Sequence, residues 1–421
     1  MPSGFTGRTT AFGSRRGGGW LWAVVVVLLA GVGVAGYYAR PHIAKSSSED
    51  ENKQTTQQPK ITGPILGDKA TTTEEDLEGV ALFKAGKIDE SIRWFNDYLA
   101  GGVKAPRADA ALFYIGMAWY KKGDTGQMSG AWKRLGDEFP RSEYTAKMLA
   151  ETAKLTPDKT ERTRTLYLLW KGFSGTEEGK QAALAWADEA YELYAGTAPD
   201  YTKWEDLWEA YSIALAGMPA GKRDEAIKKT ERIAGYFVLN PAAMPRGAVK
   251  VRTNPGDSLS ALADRSNIPV EMFMRVNGLK SDVIQPGQEF KVYPMRTKLV
   301  VDRARFTLDL HINDKFFKEY NVGVGKGDLT PAGTFSIKNR VRMPVWFKNN
   351  ERIPYGDPRN ILGTRWMGFG RSGPGKSLGI HGTTEPQSVP GKVSQGCIRM
   401  LNEDAEEVYD LTTEGTEVQI L

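Results

Sequence analysis

The sequence predicts a multidomain chain: an N-terminal transmembrane helix, an all-α helical-repeat region, a small α+β module and a C-terminal all-β domain of β-sandwich type. Three observations carry that reading. Residues 20–38, WLWAVVVVLLAGVGVAGYY, contain no charged side chain. Between 75 and 240 apolar residues recur at three- and four-residue spacing, the period of an amphipathic helix. From 297 to 421 short alternating apolar and polar runs are punctuated by Gly and Pro, the pattern of strands and turns. A length of 421 residues exceeds what one hydrophobic core organises, so several modules are expected. Charged residues at 25% and hydrophobics at 40% are ordinary for globular protein, and a dispersed net charge of +5 argues against nucleic acid as a partner.

Residues 1–19 carry Arg8, Arg15 and Arg16 and no acidic residue, so they read as a cytoplasmic N-terminus. The run Trp20 to Tyr38 is long enough as a helix to cross a hydrocarbon core of about 30 Å, and Trp20, Trp22, Tyr37 and Tyr38 mark its two ends. The expectation is a single-pass cytoplasmic membrane protein, its inner-membrane contact made by one helix and its bulk on the extracytoplasmic side. A cleaved signal peptide, processed near Val34, Ala35 and Gly36, is the alternative; the apolar run exceeds the usual ~7–15-residue signal core. Residues 39–74 are rich in Ser, Gln, Thr, Lys and Glu and read as a flexible linker containing His42.

Residues 75–240 contain helix–turn–helix units whose turn glycines, Gly86 and Gly123, stand 37 positions apart. The units resemble tetratricopeptide repeats, whose period is about 34 residues. Their aromatics at helical spacing, Trp94, Tyr98, Trp119, Tyr120 and Trp132, are expected in the inter-helix core. Such an array commonly serves as a protein-binding or spacer device, which leaves open a protein partner for the repeats.

A boundary falls in NPAAMPRGAVK, where Gly, Pro and Met thicken. Residues 249–294 then read as strand, helix, helix, strand, with a turn into the first helix at Gly256 and Asp257, Ser258 near its cap, and a turn at Pro286 and Gly287. The residues Gly256-Asp257-Ser258-Leu259, Ala263, Asn277 with Leu279, and Ile284-Gln285-Pro286-Gly287-Gln288 resemble a lysin motif (LysM) domain. That resemblance implies glycan binding in a groove between the two loops, lined by Gly256, Asp257, Ser258, Ile284, Gln285 and Pro286, with peptidoglycan as ligand.

The chain has one cysteine, Cys397, sixteen positions after His381, which is one of three histidines. An exported chain with one cysteine forms no internal disulfide, so this thiol is free or intermolecular. A thiol attacks an amide carbonyl as the thiolate, and a neighbouring imidazole can take its proton to leave a reactive ion pair. Gly396 permits a tight turn whose N–H groups converge on a developing oxyanion, and Arg399 offers a planar donor fork. His311 stands in a strand pattern and reads as structural. No His/Cys cluster has metal-ligand spacing and no Gly-rich phosphate loop follows a strand, so neither a metal nor any other cofactor is expected.

Residues 297–421 resemble the L,D-transpeptidase catalytic domain of YkuD type. The match rests on His381-Gly382-Thr383, Pro386, Ser388, Ser394, Gly396-Cys397-Ile398-Arg399-Met400, upstream Thr330-Pro331 with Gly333 and Phe335, and Gly363 with Arg365-Trp366-Met367. Two positions depart from the family pattern: Gln395 where a histidine is common, and Pro390 with Gly391 where the glycine usually comes one place earlier. The resemblance implies Cys397 as nucleophile and His381 as base. It implies a stem tetrapeptide as acyl donor, release of D-alanine and a 3→3 cross-link. Gly382 would orient the imidazole through its carbonyl, the N–H groups of Gly396 and Cys397 would meet the oxyanion, and Arg399, Ser394 and Trp366 would line the substrate site. The partners implied are peptidoglycan stem peptides and glycan strands. An L,D-carboxypeptidase using water, attachment to a protein lysine, and a catalytically silent wall-binding scaffold are the alternatives.

Overall fold

The computed structural model describes residues 73–100, 105–194, 201–349, 351–370 and 378–421. The expected cytoplasmic segment, transmembrane helix and nearly all of the linker lie outside the described residues. Among the described residues no helix is long and apolar enough to cross a membrane. The chain divides into two compact units, residues 1–182 and 183–421.

The described part of the first unit is all-α. Helices α1 (Glu78–Lys84), α2 (Ile88–Leu99), α3 (Ala108–Lys121), α4 (Thr125–Glu138), α5 (Glu143–Leu155) and α6 (Lys159–Phe173) follow one another through short turns, and α7 (Glu177–Tyr194) begins in this unit. Gly86 and Gly123 make the α1–α2 and α3–α4 turns at φ +77° and +79°, a region glycine enters without steric cost. Asp124 and Ser142 cap α4 and α5, their side-chain oxygens accepting from the N–H groups of Gln127 and Tyr144. Only Trp132 of the aromatics expected in the core is fully buried, against Gly116, where no side chain would fit. Trp94 and Tyr98 stack on each other at 4.8 Å and are half-buried, Trp119 is likewise half-buried, and Tyr120 is exposed. Phe95, Phe113 and Tyr144 fill the interior instead.

The second unit contains α8 (Tyr201–Gly217), α9 (Arg223–Leu239) and everything after them. The helical stretch expected as one region over 75–240 is therefore divided, because α8 and α9 pack on a sheet. Trp208 Nε1 donates to the carbonyl of Phe316 (2.5 Å), and the Phe316 N–H donates to Ser212 Oγ (3.0 Å). The Glu319 N–H donates to Glu231 Oε1 (3.0 Å).

Strands β1 (Val249–Arg252) and β2 (Glu289–Val292) pair antiparallel around α10 (Leu259–Arg265) and α11 (Val270–Val276). Their small core is Leu259, Leu262, Met272, Phe273 and Phe290. The remainder is built on two sheets. The first has five strands, in the order β5 (Lys315–Asn321), β4 (Thr307–Ile312), β3 (Thr297–Asp302), β15 (Glu417–Ile420) and β7 (Gly333–Ser336). The second has six: β13 (Gly391–Ser394), β6 (Gly323–Gly325), β14 (Ile398–Arg399), β12 (Gly379–His381), β11 (Arg365–Gly368) and β8 (Asn339–Arg342). A separate hairpin joins β9 (Trp346–Lys348) to β10 (Glu351–Ile353). The one long helix here, α12 (Asn402–Leu411), packs on β11 and β12.

Candidate active site

The six-stranded sheet brings the thiol and the imidazole together. Strands β12 and β14 run parallel in the register Ile380 to Ile398 and His381 to Arg399, with Cys397 immediately before β14. Alternation along a pleated strand then puts Gly379, His381, Cys397 and Arg399 on one face. Gly379 has no room for a side chain, since a Cβ there would lie 2.7 Å from the Met367 carbonyl, and its backbone hydrogen-bonds the Cys397 thiol. Cys397 is half-buried and in no disulfide.

His381 is fully enclosed, with Nδ1 2.6 Å from the Gly382 carbonyl oxygen. That carbonyl can only accept, so Nδ1 carries the proton and Nε2 is left as the basic nitrogen. Burial pulls the imidazole down to about 4, the Arg399 charge adds to this, and the Gly382 bond opposes it. Burial also pushes the thiol up, against smaller opposing effects of Gly379 and Arg399. Both shifts disfavour the preformed thiolate–imidazolium pair expected from the sequence.

Trp366 is not on the substrate surface. It pairs with His381 across β11 and β12, is fully buried, and stacks beneath the imidazole at 6.1 Å and 22°. Its Nε1 donates to Asn339 Oδ1 (2.9 Å), so the ring forms a fixed floor for the base.

The turn before Cys397 also departs from expectation. Gly396 has φ +125°, and a Cβ there would stand 3.0 Å from the Leu329 carbonyl oxygen. Its N–H donates to Ser394 Oγ (3.1 Å), and that hydroxyl donates to the Cys397 carbonyl (2.5 Å). The Gly396 N–H is thus engaged within the turn and not aimed at an oxyanion, while Ser394 braces the turn and does not line the donor site. Thr330 Oγ1 completes the support, donating to the Gly396 carbonyl (2.7 Å) and accepting from the Gly325 N–H (2.8 Å). Arg399 is likewise committed: its Nη1 meets Glu385 Oε2 at 2.7 Å and Ser388 Oγ at 2.9 Å. It holds the loop between histidine and cysteine, and its charge reaches both groups through that position.

Asn402 escaped the sequence reading. At the start of α12, its Oδ1 accepts from the N–H groups of Thr364 (3.1 Å) and Thr383 (3.0 Å). Side chains at Gly363 or Gly382 would place a Cβ 2.1 or 2.2 Å from that oxygen. Asn402 therefore grips the turn whose Gly382 carbonyl holds His381. The signal was a cluster of glycines at 363 and 382, legible only once their common neighbour is seen.

In the small module, the two loops meet through Thr253, whose Oγ1 donates to the Gln285 carbonyl (2.6 Å) and whose carbonyl accepts from the Gly287 N–H (2.9 Å). Gly256 turns at φ +87°. Asp257 accepts from the Asn254 N–H (2.8 Å) and from Arg265 (3.0 Å), which hold its carboxyl below the usual range. Ser258 caps α10 and Ile284 packs on the core, so these two serve the fold, while Gln285 and Pro286 stand exposed.

Residues 296–420 match the family model of the L,D-transpeptidase catalytic domain (YkuD), and residues 251–292 match the LysM domain. The protein of Bacillus subtilis (strain 168) named "Putative L,D-transpeptidase YqjB" is 39% identical over 124 residues, 29% of this chain and 69% of that one. The one named "Putative L,D-transpeptidase YkuD" from the same organism is 31% identical over 172 residues, 39% of this chain and 94% of that one. L,D-transpeptidase 3 from Mycobacterium tuberculosis aligns at 16% identity with a TM-score of 0.26, over 32% of this chain and 65% of that one, so this chain spans less than two thirds of its length. A sheet-rich domain with a thiol beside an imidazole, preceded by a LysM domain, defines the class. The chain belongs to the L,D-transpeptidase family.

Proposed function

We propose that the protein is a cysteine-dependent peptidoglycan L,D-transpeptidase. The observation that carries this reading is the enclosed His381, with Nδ1 bonded to the Gly382 carbonyl and the opposite nitrogen free to act as base, on the strand beside Cys397. With the preformed ion pair disfavoured, His381 acts as a general base during attack.

His381 takes the thiol proton as sulfur bonds to the carbonyl carbon of the third residue of a stem tetrapeptide. The tetrahedral intermediate collapses, the C–N bond breaks, and the imidazolium returns the proton to the departing amine of D-alanine. The acyl-enzyme is then attacked by the amine of a second stem. His381 accepts that proton and passes it to the leaving sulfur, which yields a 3→3 cross-link and the free thiol. Trp366 and Asn402 hold the imidazole, and Ser394 and Thr330 hold the nucleophile turn. Residues 20–38 would anchor the chain in the cytoplasmic membrane with its bulk outside, consistent with a wall polymer as substrate.

Intact mass of the full chain after incubation with a carbapenem, beside Cys397→Ala, tests this. A stoichiometric adduct lost in the variant is expected, followed by cross-linked dimers on a disaccharide-tetrapeptide. Tripeptide alone would make the protein a carboxypeptidase. No adduct on folded protein would overturn the reading.

A further inference from the structure

The LysM domain is attached to the catalytic domain at several separate points. Its strand β2 runs into β3 through only four residues, and this passage is itself held. Asn313 Nδ2 donates to the Pro294 carbonyl (3.2 Å) and the Tyr293 hydroxyl (3.3 Å), and the Arg296 N–H donates to Asn313 Oδ1 (2.9 Å). Tyr293 is buried.

Three further attachments come from other elements. Arg275 of α11 grips Asp410 of α12 through Nε (3.1 Å) and Nη2 (2.7 Å), and Glu271 of the same helix meets Arg342 of β8 at 2.8 Å. Lys291 of β2 is 1% exposed, and its ammonium donates to the carbonyls of Phe237 (2.9 Å), Val238 (3.0 Å) and Asn240 (2.7 Å). These are the terminal carbonyls of α9, where a cation also meets the negative end of the helix dipole. Since α9 is bonded to β5, the module is braced from both sides. All these contacts use α11, β2 and the exit segment, while most of the two glycan-loop stretches, 254–258 and 284–288, stays exposed.

We infer that this transpeptidase selects stem peptides at a fixed offset along a glycan strand, so that it prefers polymeric glycan to free muropeptide. The inference rests on the proposed activity and on glycan binding by the LysM domain. A module on a flexible tether raises local concentration for stems at any reachable position. A module braced on both sides instead orients the strand, and only stems at one offset reach Cys397 without strain.

The test uses the full chain and a variant combining Glu271→Ala, Arg275→Ala, Lys291→Met and a Gly-Ser insertion of about ten residues after Pro294, flexible by composition. The probes are glycan strands bearing tetrapeptides and the disaccharide-tetrapeptide; chitooligosaccharide affinity reports a folded LysM domain. The expected result is a wild-type kcat/KM ratio, polymer over disaccharide, that falls about tenfold in the variant, the scale on which lost orientation acts. Disaccharide turnover and chitooligosaccharide affinity stay unchanged. An undiminished ratio would overturn the inference, because a tether would then suffice, and so would a wild-type enzyme active on both substrates without preference. A wild-type enzyme inactive on the disaccharide would instead refute the proposed function.

Discussion

Replacing Asn402 with alanine should uncouple the stability of the His381 turn from the presence of the histidine itself. Two N–H donors, at Thr364 and Thr383, lose their acceptor at 3.1 and 3.0 Å. At about 1 kcal/mol net for each hydrogen bond, the cost to stability is about 2 kcal/mol. The effect on rate has a different origin. The Gly382 carbonyl that holds Nδ1 belongs to the peptide joining Gly382 to the Thr383 nitrogen that Asn402 grips, so release of one end lets the imidazole drift. A displacement near 1 Å lowers the rate about 100-fold. The assays are urea unfolding and the pre-steady-state rate of thiol acylation by a carbapenem, with Asn402→Asp as the conservative partner. Aspartate keeps an acceptor oxygen in place and should recover most of the rate. A variant destabilised by the expected amount that still acylates at the wild-type rate would refute the positioning argument and assign Asn402 to folding alone.

Two other outcomes follow from charge and burial. The imidazole of His381 falls from an ordinary 6.5 to about 4 in the fold, so below pH 6.5 the unfolded chain binds a proton that the folded chain resists. The stabilisation from a neutral His381 is complete above about 6.5 and is lost as pH falls towards 4, with a ceiling of about 3 kcal/mol. The stability difference between wild type and His381→Gln should therefore change over that window in denaturant titrations; a flat difference would contradict an enclosed neutral imidazole. Lys291→Met leaves three α9 carbonyls without their cation, and a loss of about 2–4 kcal/mol is expected in thermal unfolding. Burial alone pulls this ammonium down to about 8, but the three carbonyls favour its charged form, so a cost near zero at pH 7 would mean that the amine is neutral there.

The thiol and imidazole proposed to react were legible because their chemistry is rare in this chain: one thiol, three imidazoles, and a glycine before the thiol. The LysM domain was legible because turn glycines and apolar spacing act locally. Residues near the nucleophile were harder to read, since a polar side chain there can face substrate or brace the backbone. Ser394, Trp366 and Arg399 all brace, and only burial and partners reveal it. Asn402 and Thr330 work across 38 and 66 residues of chain, through side-chain bonds to backbone that leave no periodicity. The division of the helices was equally hidden, because an apolar stripe that packs on a sheet reads the same as one that packs on a helix. These long-range bonds converge on α12. Asn402 in its first turn holds the histidine turn, and Asp410 in its last turn holds the LysM domain, so one ten-residue helix ties both to the same sheet. Under the proposed function and the inferred strand offset, a change that tilts α12 should therefore disturb acylation and polymer preference together.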